Sequence, residues 1–150
     1  MRAEPLPPFK TSIRSTDLEI RDALAALRAA LQPLDLDSDE LGTVELVLAE
    51  VLNNIVEHAY PEPDNAAGTI AITGTHKSDG LHLQIRDNGL PMPDGQTPLG
   101  SPVDVSLDLD DLPEGGFGWF LIKNLAKDVT YVRRDGENHL DLRLAVGLLA

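Results

Sequence analysis

Leu46-Val47-Leu48-Ala49-Glu50-Val51-Leu52-Asn53-Asn54-Ile55-Val56-Glu57-His58-Ala59-Tyr60 is the stretch on which the reading of this chain turns. With Leu41 and Val44 ahead of it, the apolar residues Leu48, Leu52, Ile55 and Ala59 recur at helical spacing and commit one helix face to a core. Against that pattern, Glu50, Asn54 and His58 occupy successive i+4 positions and form one polar stripe. A carboxylate, an amide and an imidazole in line supply a base, a hard oxygen ligand and a second polar anchor, which a metal-nucleotide site needs. The same stripe also reads as a plain solvated face. The helix alone does not separate the two.

Length and composition narrow the choice. A chain of 150 residues fits one domain over 1–150, long enough to bury about two-thirds of its unfolded surface. Twelve Lys and Arg against 25 Asp and Glu leave a formal charge of -13, which repels phosphate backbones and anionic membranes. Neither nucleic acid nor membrane is therefore expected as a partner. The absence of cysteine excludes disulfides, thiolate chemistry and Cys-based zinc sites, and agrees with a reducing cytoplasm. No apolar run approaches the roughly eighteen residues of a membrane span, and the proline-rich start is not a signal peptide.

Outward from the central helix, local patterns place the other elements. Phe9 to Ser15 alternates as a short strand, and Thr16-Asp17-Leu18-Glu19 is a capping box for a helix carrying Ile20, Leu24, Leu27 and Leu31 to Pro33. Ser38 reads as the N-cap of the central helix, which stops before Pro61. Thr69 to His76 and Leu81 to Asp87 alternate as two strands of a hairpin. Periodicity then fails from about 90 to 115, a loop of the length and acidity of a functional lid without one basic residue. Gly115-Gly116-Phe117-Gly118 opens a helix through Leu125, and two strands around Val129 to Val132 and Leu140 to Val146 close the chain. The order β-α-α-β-β-loop-α-β-β lacks repeated βαβ units. It predicts an α+β fold, a two-layer sandwich with a mixed, mostly antiparallel sheet and about three helices on one face.

Two further constellations carry chemistry. Asp87-Asn88-Gly89 ends a strand: a carboxylate fixed there can accept from an exocyclic amine such as adenine's, and glycine lets a planar ring approach the backbone. It is equally an ordinary turn. Gly116 and Gly118 at a helix start offer unpaired amides to phosphate oxygens, or simply a glycine-rich cap. No Walker loop, dinucleotide fingerprint, EF-hand, histidine zinc cluster or nucleophile elbow is present.

Taken in order, the Glu50-x-x-x-Asn54 helix, the Asp87-x-Gly89 turn, the lid and the Gly-Gly-Phe-Gly helix resemble the Bergerat-type fold of histidine-kinase-like ATPases. Within that superfamily the chain is most similar to the anti-sigma-factor serine/threonine kinases of bacterial partner-switching systems. The matching motifs run from Glu50 to Tyr60, Asp87 to Pro91, Gly115 to Ile122 and Asp135 to Leu140, and the likeness covers nearly the whole chain.

The resemblance implies ATP and Mg²⁺ as cofactors. It makes Glu50 the general base, Asn54 the Mg²⁺ ligand and Asp87 the adenine reader, with Gly89 lining the ring pocket and Gly116 and Gly118 holding phosphates. It further implies a small anti-anti-sigma antagonist as acceptor, a sigma factor or equivalent regulator as alternative partner, and a homodimer. The chain departs from relatives in two places: Glu114 and Phe117 stand where a basic residue is common. Asp141, between Leu140 and Leu142, stands where a Thr or Ser supports adenine through water. A nucleotide-dependent sequestration module without phosphotransfer is the alternative function. A sensor histidine kinase is a third, and no His-bearing hairpin precedes Phe9 to support it.

Overall fold

The computed structural model describes residues 6–59, 68–91 and 117–148. In chain order these form β1 (Phe9–Arg14), α1 (Asp17–Leu31), a 3₁₀ turn (Gln32–Leu34), α2 (Ser38–Ala59), β2 (Thr69–Lys77), β3 (Gly80–Asp87), α3 (Phe117–Leu125), β4 (Lys127–Arg134) and β5 (Glu137–Leu144). The expected lid of about 90–115 lies, from residue 92 on, outside the described residues.

The five strands form one sheet in the order β1-β2-β3-β5-β4. Every pairing is antiparallel, so the parallel component allowed by a mixed sheet is not found among the described strands. The reason lies in the connections: two hairpins, β2–β3 and β4–β5, join through β3 and β5, and neighbours within a hairpin must run in opposite directions. Asp135 and Gly136 form the β4–β5 turn, both at positive φ (53° and 79°), the geometry of a two-residue turn that matches strand twist.

Alternation in the strands decides which face is covered. Ile70 and Ile72 of β2, Leu81, Leu83 and Ile85 of β3, and Leu140, Leu142 and Leu144 of β5 point to the same side and are buried. They share one core with Ile20, Ala23 and Leu27 of α1, Leu48, Leu52 and Ile55 of α2, and Ile122 of α3. The helices therefore cover one face, α2 packing against both α1 and α3, and the opposite face is left to Lys10, Arg14, Gln84 and Arg86. Truncating a fully buried leucine such as Leu48 or Leu52 would cost about 2–5 kcal/mol.

The helix starts differ in detail from the expected caps. Thr16 accepts from the Glu19 amide at 3.3 Å, but Glu19 reaches past Thr16 to the Arg14 amide at 3.1 Å, tying the helix start to β1. For α2 the N-cap is Asp37 and not Ser38. Asp37 Oδ1 accepts from the Glu40 amide at 2.8 Å, and Glu40 accepts in return from the Asp37 amide at 3.4 Å. A carboxylate accepts more strongly than a hydroxyl at the positive end of the helix dipole, so the box forms one residue earlier. No described helix is long and apolar enough to cross a membrane.

Candidate functional site

The inward row of β3 runs Leu81, Leu83, Ile85 and then Asp87, so strand parity carries a carboxylate to the end of an apolar row. The inward row of β5 begins at Asn138 and continues with Leu140, Leu142 and Leu144. Register sets Asp87 opposite Asn138, and both are buried, at 5% and 4% exposure. Asn138 Nδ2 donates to Asp87 Oδ1 at 2.8 Å and to the Leu90 carbonyl at 2.8 Å. Asn138 Oδ1 accepts from Arg133 at 3.1 Å and from the Tyr131 hydroxyl.

Asp87 Oδ1 also accepts from the Gly89 amide at 3.0 Å. Both protein donors thus fall on one oxygen, and Oδ2 has no partner among the described residues. Burial pushes the Asp87 carboxyl above the usual carboxylate range, while the hydrogen bonds from Asn138 and Gly89 pull it part of the way back. An oriented buried carboxylate with one oxygen open suits a ligand that donates N–H.

The Asp87–Asn138 pair lies against α2. Asn54, on the stripe the sequence singles out, is buried at 6% exposure, and its Nδ2 donates to the Glu50 carbonyl at 2.7 Å. That bond leaves Asn54 Oδ1, a buried acceptor, without a partner among the described residues. Asn54, Ile55, Asp87, Leu90, Tyr131 and Asn138 line one small cavity of about 20 Å³, room for a single water among the described residues. Its walls are apolar and its polar atoms few, so it marks where buried polar groups of α2, β3 and β5 meet.

Of the other expected residues, Glu50 does not line this cavity. It stands one turn before Asn54 on the same helix face, half-buried, and its carboxylate has no partner among the described residues. Gly89 does not line it either; it packs on the end of α2, and its neighbour Leu90 donates to the Ala59 carbonyl at 3.0 Å. Gly118 is the second residue of α3, in the first turn where N–H groups find no acceptor within the helix. Gly116 lies outside the described residues. A metal held by Asn54 would take an oxygen ligand already free. No group of three or more His, Asp or Glu side chains suited to a metal occurs among the described residues.

Sequence reasoning missed Asn138, Tyr131 and Arg133. Asp141, which the sequence shows only as a departure from the Thr or Ser of relatives, is sent by parity to the outer face, where it pairs with Arg86 at 2.6 Å. The usable signal was the amide at the head of the Leu140, Leu142, Leu144 row. Arg133 donates to the Gly89 carbonyl at 2.7 Å.

Comparisons with known proteins bear on this geometry. Residues 13–144 match the family described as a histidine kinase-like ATPase domain. The chain is 39% identical over 100 residues to the serine/threonine-protein kinase BtrW of Bordetella bronchiseptica, covering 67% of each chain. It is 32% identical over 100 residues to the serine-protein kinase RsbW of Bacillus cereus, covering 65% of this chain and 60% of that protein's length. Among solved structures, a crystal structure of the RsbU and RsbW domains of a Mycobacterium tuberculosis protein matches with a TM-score of 0.64 at 18% identity. That match covers 93% of this chain and 32% of the other, and is a likeness of fold.

Proposed function

The chain belongs to the histidine kinase-like ATPase domain family, and from that premise we propose that it binds Mg-ATP and phosphorylates a serine or threonine of a small antagonist protein. The observation that carries the reading is the convergence of Asn54 and Asp87 on one cavity, each with a buried oxygen open to a ligand. Asp87 Oδ2 accepts from the adenine 6-amino group. Asn54 Oδ1 would hold the Mg²⁺, which would supply charge to offset that of the phosphates. Glu50, one turn away, takes the proton of the attacking hydroxyl as its oxygen bonds the γ-phosphorus and the bond to ADP breaks. The first-turn amide of Gly118, with Gly116 before it, receives the phosphates.

The names of the relatives RsbW and BtrW support the kinase assignment. The chain spans about 60% of the length of the RsbW relatives, and the partners carry over as part of the proposal: an anti-anti-sigma antagonist as acceptor, a sigma factor or equivalent as the alternative partner, and a homodimer. The strongly acidic composition suits a partner with a basic face.

A second reading, a nucleotide-dependent sequestration module without transfer, is favoured by one observation: the sequence from 90 to 115 contains no Lys or Arg to stabilise a transferring phosphoryl group. Incubation with Mg-ATP and the small antagonist encoded beside the protein, read by intact mass, separates the two. Addition of one phosphoryl group, lost in Glu50→Ala, supports the kinase. Tight ATP binding with no transfer leaves the sequestration module. Equal ATP affinity in Asp87→Ala removes the site assignment altogether.

A further inference from the structure

Two groups around Asn138 can play only one part in a hydrogen bond. The Arg133 guanidinium donates and cannot accept, and it reaches Asn138 Oδ1 at 3.1 Å. The Leu90 carbonyl accepts and cannot donate, and it takes Asn138 Nδ2 at 2.8 Å. The Tyr131 hydroxyl, able to do either, donates to the same Oδ1. The amide is thereby locked one way round, with Nδ2 against Asp87 Oδ1. Turned over, it would set an oxygen against Asp87, and only a protonated Asp87 could then complete the contact.

We propose that Arg133, acting through Asn138, sets the hydrogen-bond polarity of the base-reading end of the cavity, presenting an Asp87 oxygen as the acceptor that selects a 6-amino purine over a 6-oxo purine. This rests on the nucleotide reading of the same cavity and deepens it to a base preference. Arg133 is a positioning residue: it pins the Gly89 carbonyl at 2.7 Å and the Asn138 amide, and leaves Oδ2 of Asp87 to the base. A 6-oxo group would bring a lone pair against that carboxylate, and a buried anion facing an acceptor loses its bond and gains repulsion.

The charged and titratable groups facing Asp87 are few. Arg133 and Tyr131 come from β4 and Glu137 from β5, with Arg133 favouring the carboxylate and Glu137 opposing it. The described part of α2 brings Asn54, Ile55 and Ala59 to the cavity, none of them charged. Among the described residues, Arg133 is thus a cation in position to offset burial.

The test uses the full chain with Arg133→Met, Arg133→Lys and Asn138→Asp. One readout is the titration of the Asp87 carboxyl carbon by NMR in nucleotide-free protein. The other is calorimetric affinity for ATP and for inosine triphosphate, which swaps the 6-amino donor for a 6-oxo acceptor. Arg133→Met is expected to move the Asp87 midpoint up by about half a pH unit to one unit and to cut the ATP preference about five- to tenfold. Arg133→Lys restores a donor and a charge and should return most of both. Asn138→Asp opposes two carboxyls that cannot both ionise, so it should raise the midpoint further and abolish the preference. An Arg133→Met protein that binds ATP with the wild-type midpoint and preference overturns the inference. A midpoint shift in a protein whose wild type binds no ATP overturns the nucleotide reading, and base selection with it.

Discussion

Gly89 and Ala59 stand so close that no side chain fits between them: a Cβ on Gly89 would lie 2.5 Å from the Ala59 carbonyl oxygen and 2.6 Å from the Ala59 Cβ. Both are backbone-anchored atoms, because Ala59 ends α2 and its carbonyl receives the Leu90 amide at 3.0 Å. The glycine therefore serves the approach of the β3 exit to the helix end more than contact with a ring. Gly89→Ala is expected to displace this exit, destabilise the protein by about 1–3 kcal/mol and weaken ATP binding together with it. Paired denaturant melts and ATP titrations check this; loss of affinity with unchanged stability would instead make Gly89 a ligand-contacting position.

Asp87 is held where its charge is costly, and that has a sign. Because burial raises its folded-state pKa, the folded protein binds more protons than the unfolded chain between the ordinary carboxylate value and the raised one. The Asp87 contribution to stability is therefore greatest at low pH and is lost as pH rises through that window. ATP affinity runs the other way and falls as pH drops through the raised value, since the protonated carboxyl no longer accepts freely. Asp87→Asn keeps an oxygen for Asn138 and Gly89 and removes the buried charge. It should melt no lower than wild type at neutral pH, while ATP affinity falls about 100-fold. A melting loss as large as the binding loss would make Asp87 a structural residue.

How far these relationships were legible depended on their range. Leu48 and Leu52 announced the covered side of α2 by spacing, and alternation in β2, β3 and β5 announced the covered face of the sheet, because both signals are local; spacing put Glu50 and Asn54 on one stripe, while the roles expected of them came with the family resemblance. Asn138 was silent: its partner Asp87 is 51 residues away, and only strand register brings them opposite. Asp141 sits between two leucines, and period-two alternation assigns it to the other face, with Arg86. Asp37 and Ser38 are both competent caps, and adjacent competitors cannot be ranked from composition alone. The buried state of Asn54 likewise needed β3 and β5, since its helix neighbour Asn53 is exposed and bears the same side chain.

The α2 cap offers a control remote from the cavity. Asp37→Ala removes the acceptor for the Glu40 amide and is expected to cost about 1 kcal/mol of stability, with no change in ATP affinity. Glu40→Ala should cost more, because Glu40 Oε2 also accepts from the Gly147 amide at 3.0 Å and so ties the helix start to the turn after β5. Chemical denaturation of both variants, with ATP titration alongside, measures the difference. If Asp37→Ala alone lowers ATP affinity, α2 transmits its own end effects to Asn54 and the two ends of the helix are coupled.

Glu50 and Asn54 share a helix face and are expected to fail in different ways. Glu50→Gln preserves shape and removes the base, so Mg-ATP affinity should stay within about twofold while the transfer rate falls about 10²- to 10⁴-fold. Asn54→Ala removes the free Oδ1 next to the cavity, so its ATP affinity in magnesium should drop to the magnesium-free value. Asn54 also donates to the Glu50 carbonyl inside α2, and its loss could loosen the helix itself; Asn54→Gln, with a longer reach, separates that effect by retaining helicity without restoring the metal response. Transfer undiminished in Glu50→Gln would exclude Glu50 as the base. Such a result would leave positioning and charge neutralisation at Asn54 and α3 as the whole of the catalytic contribution, which is chemically sufficient for slow phosphoryl transfer through a loose transition state.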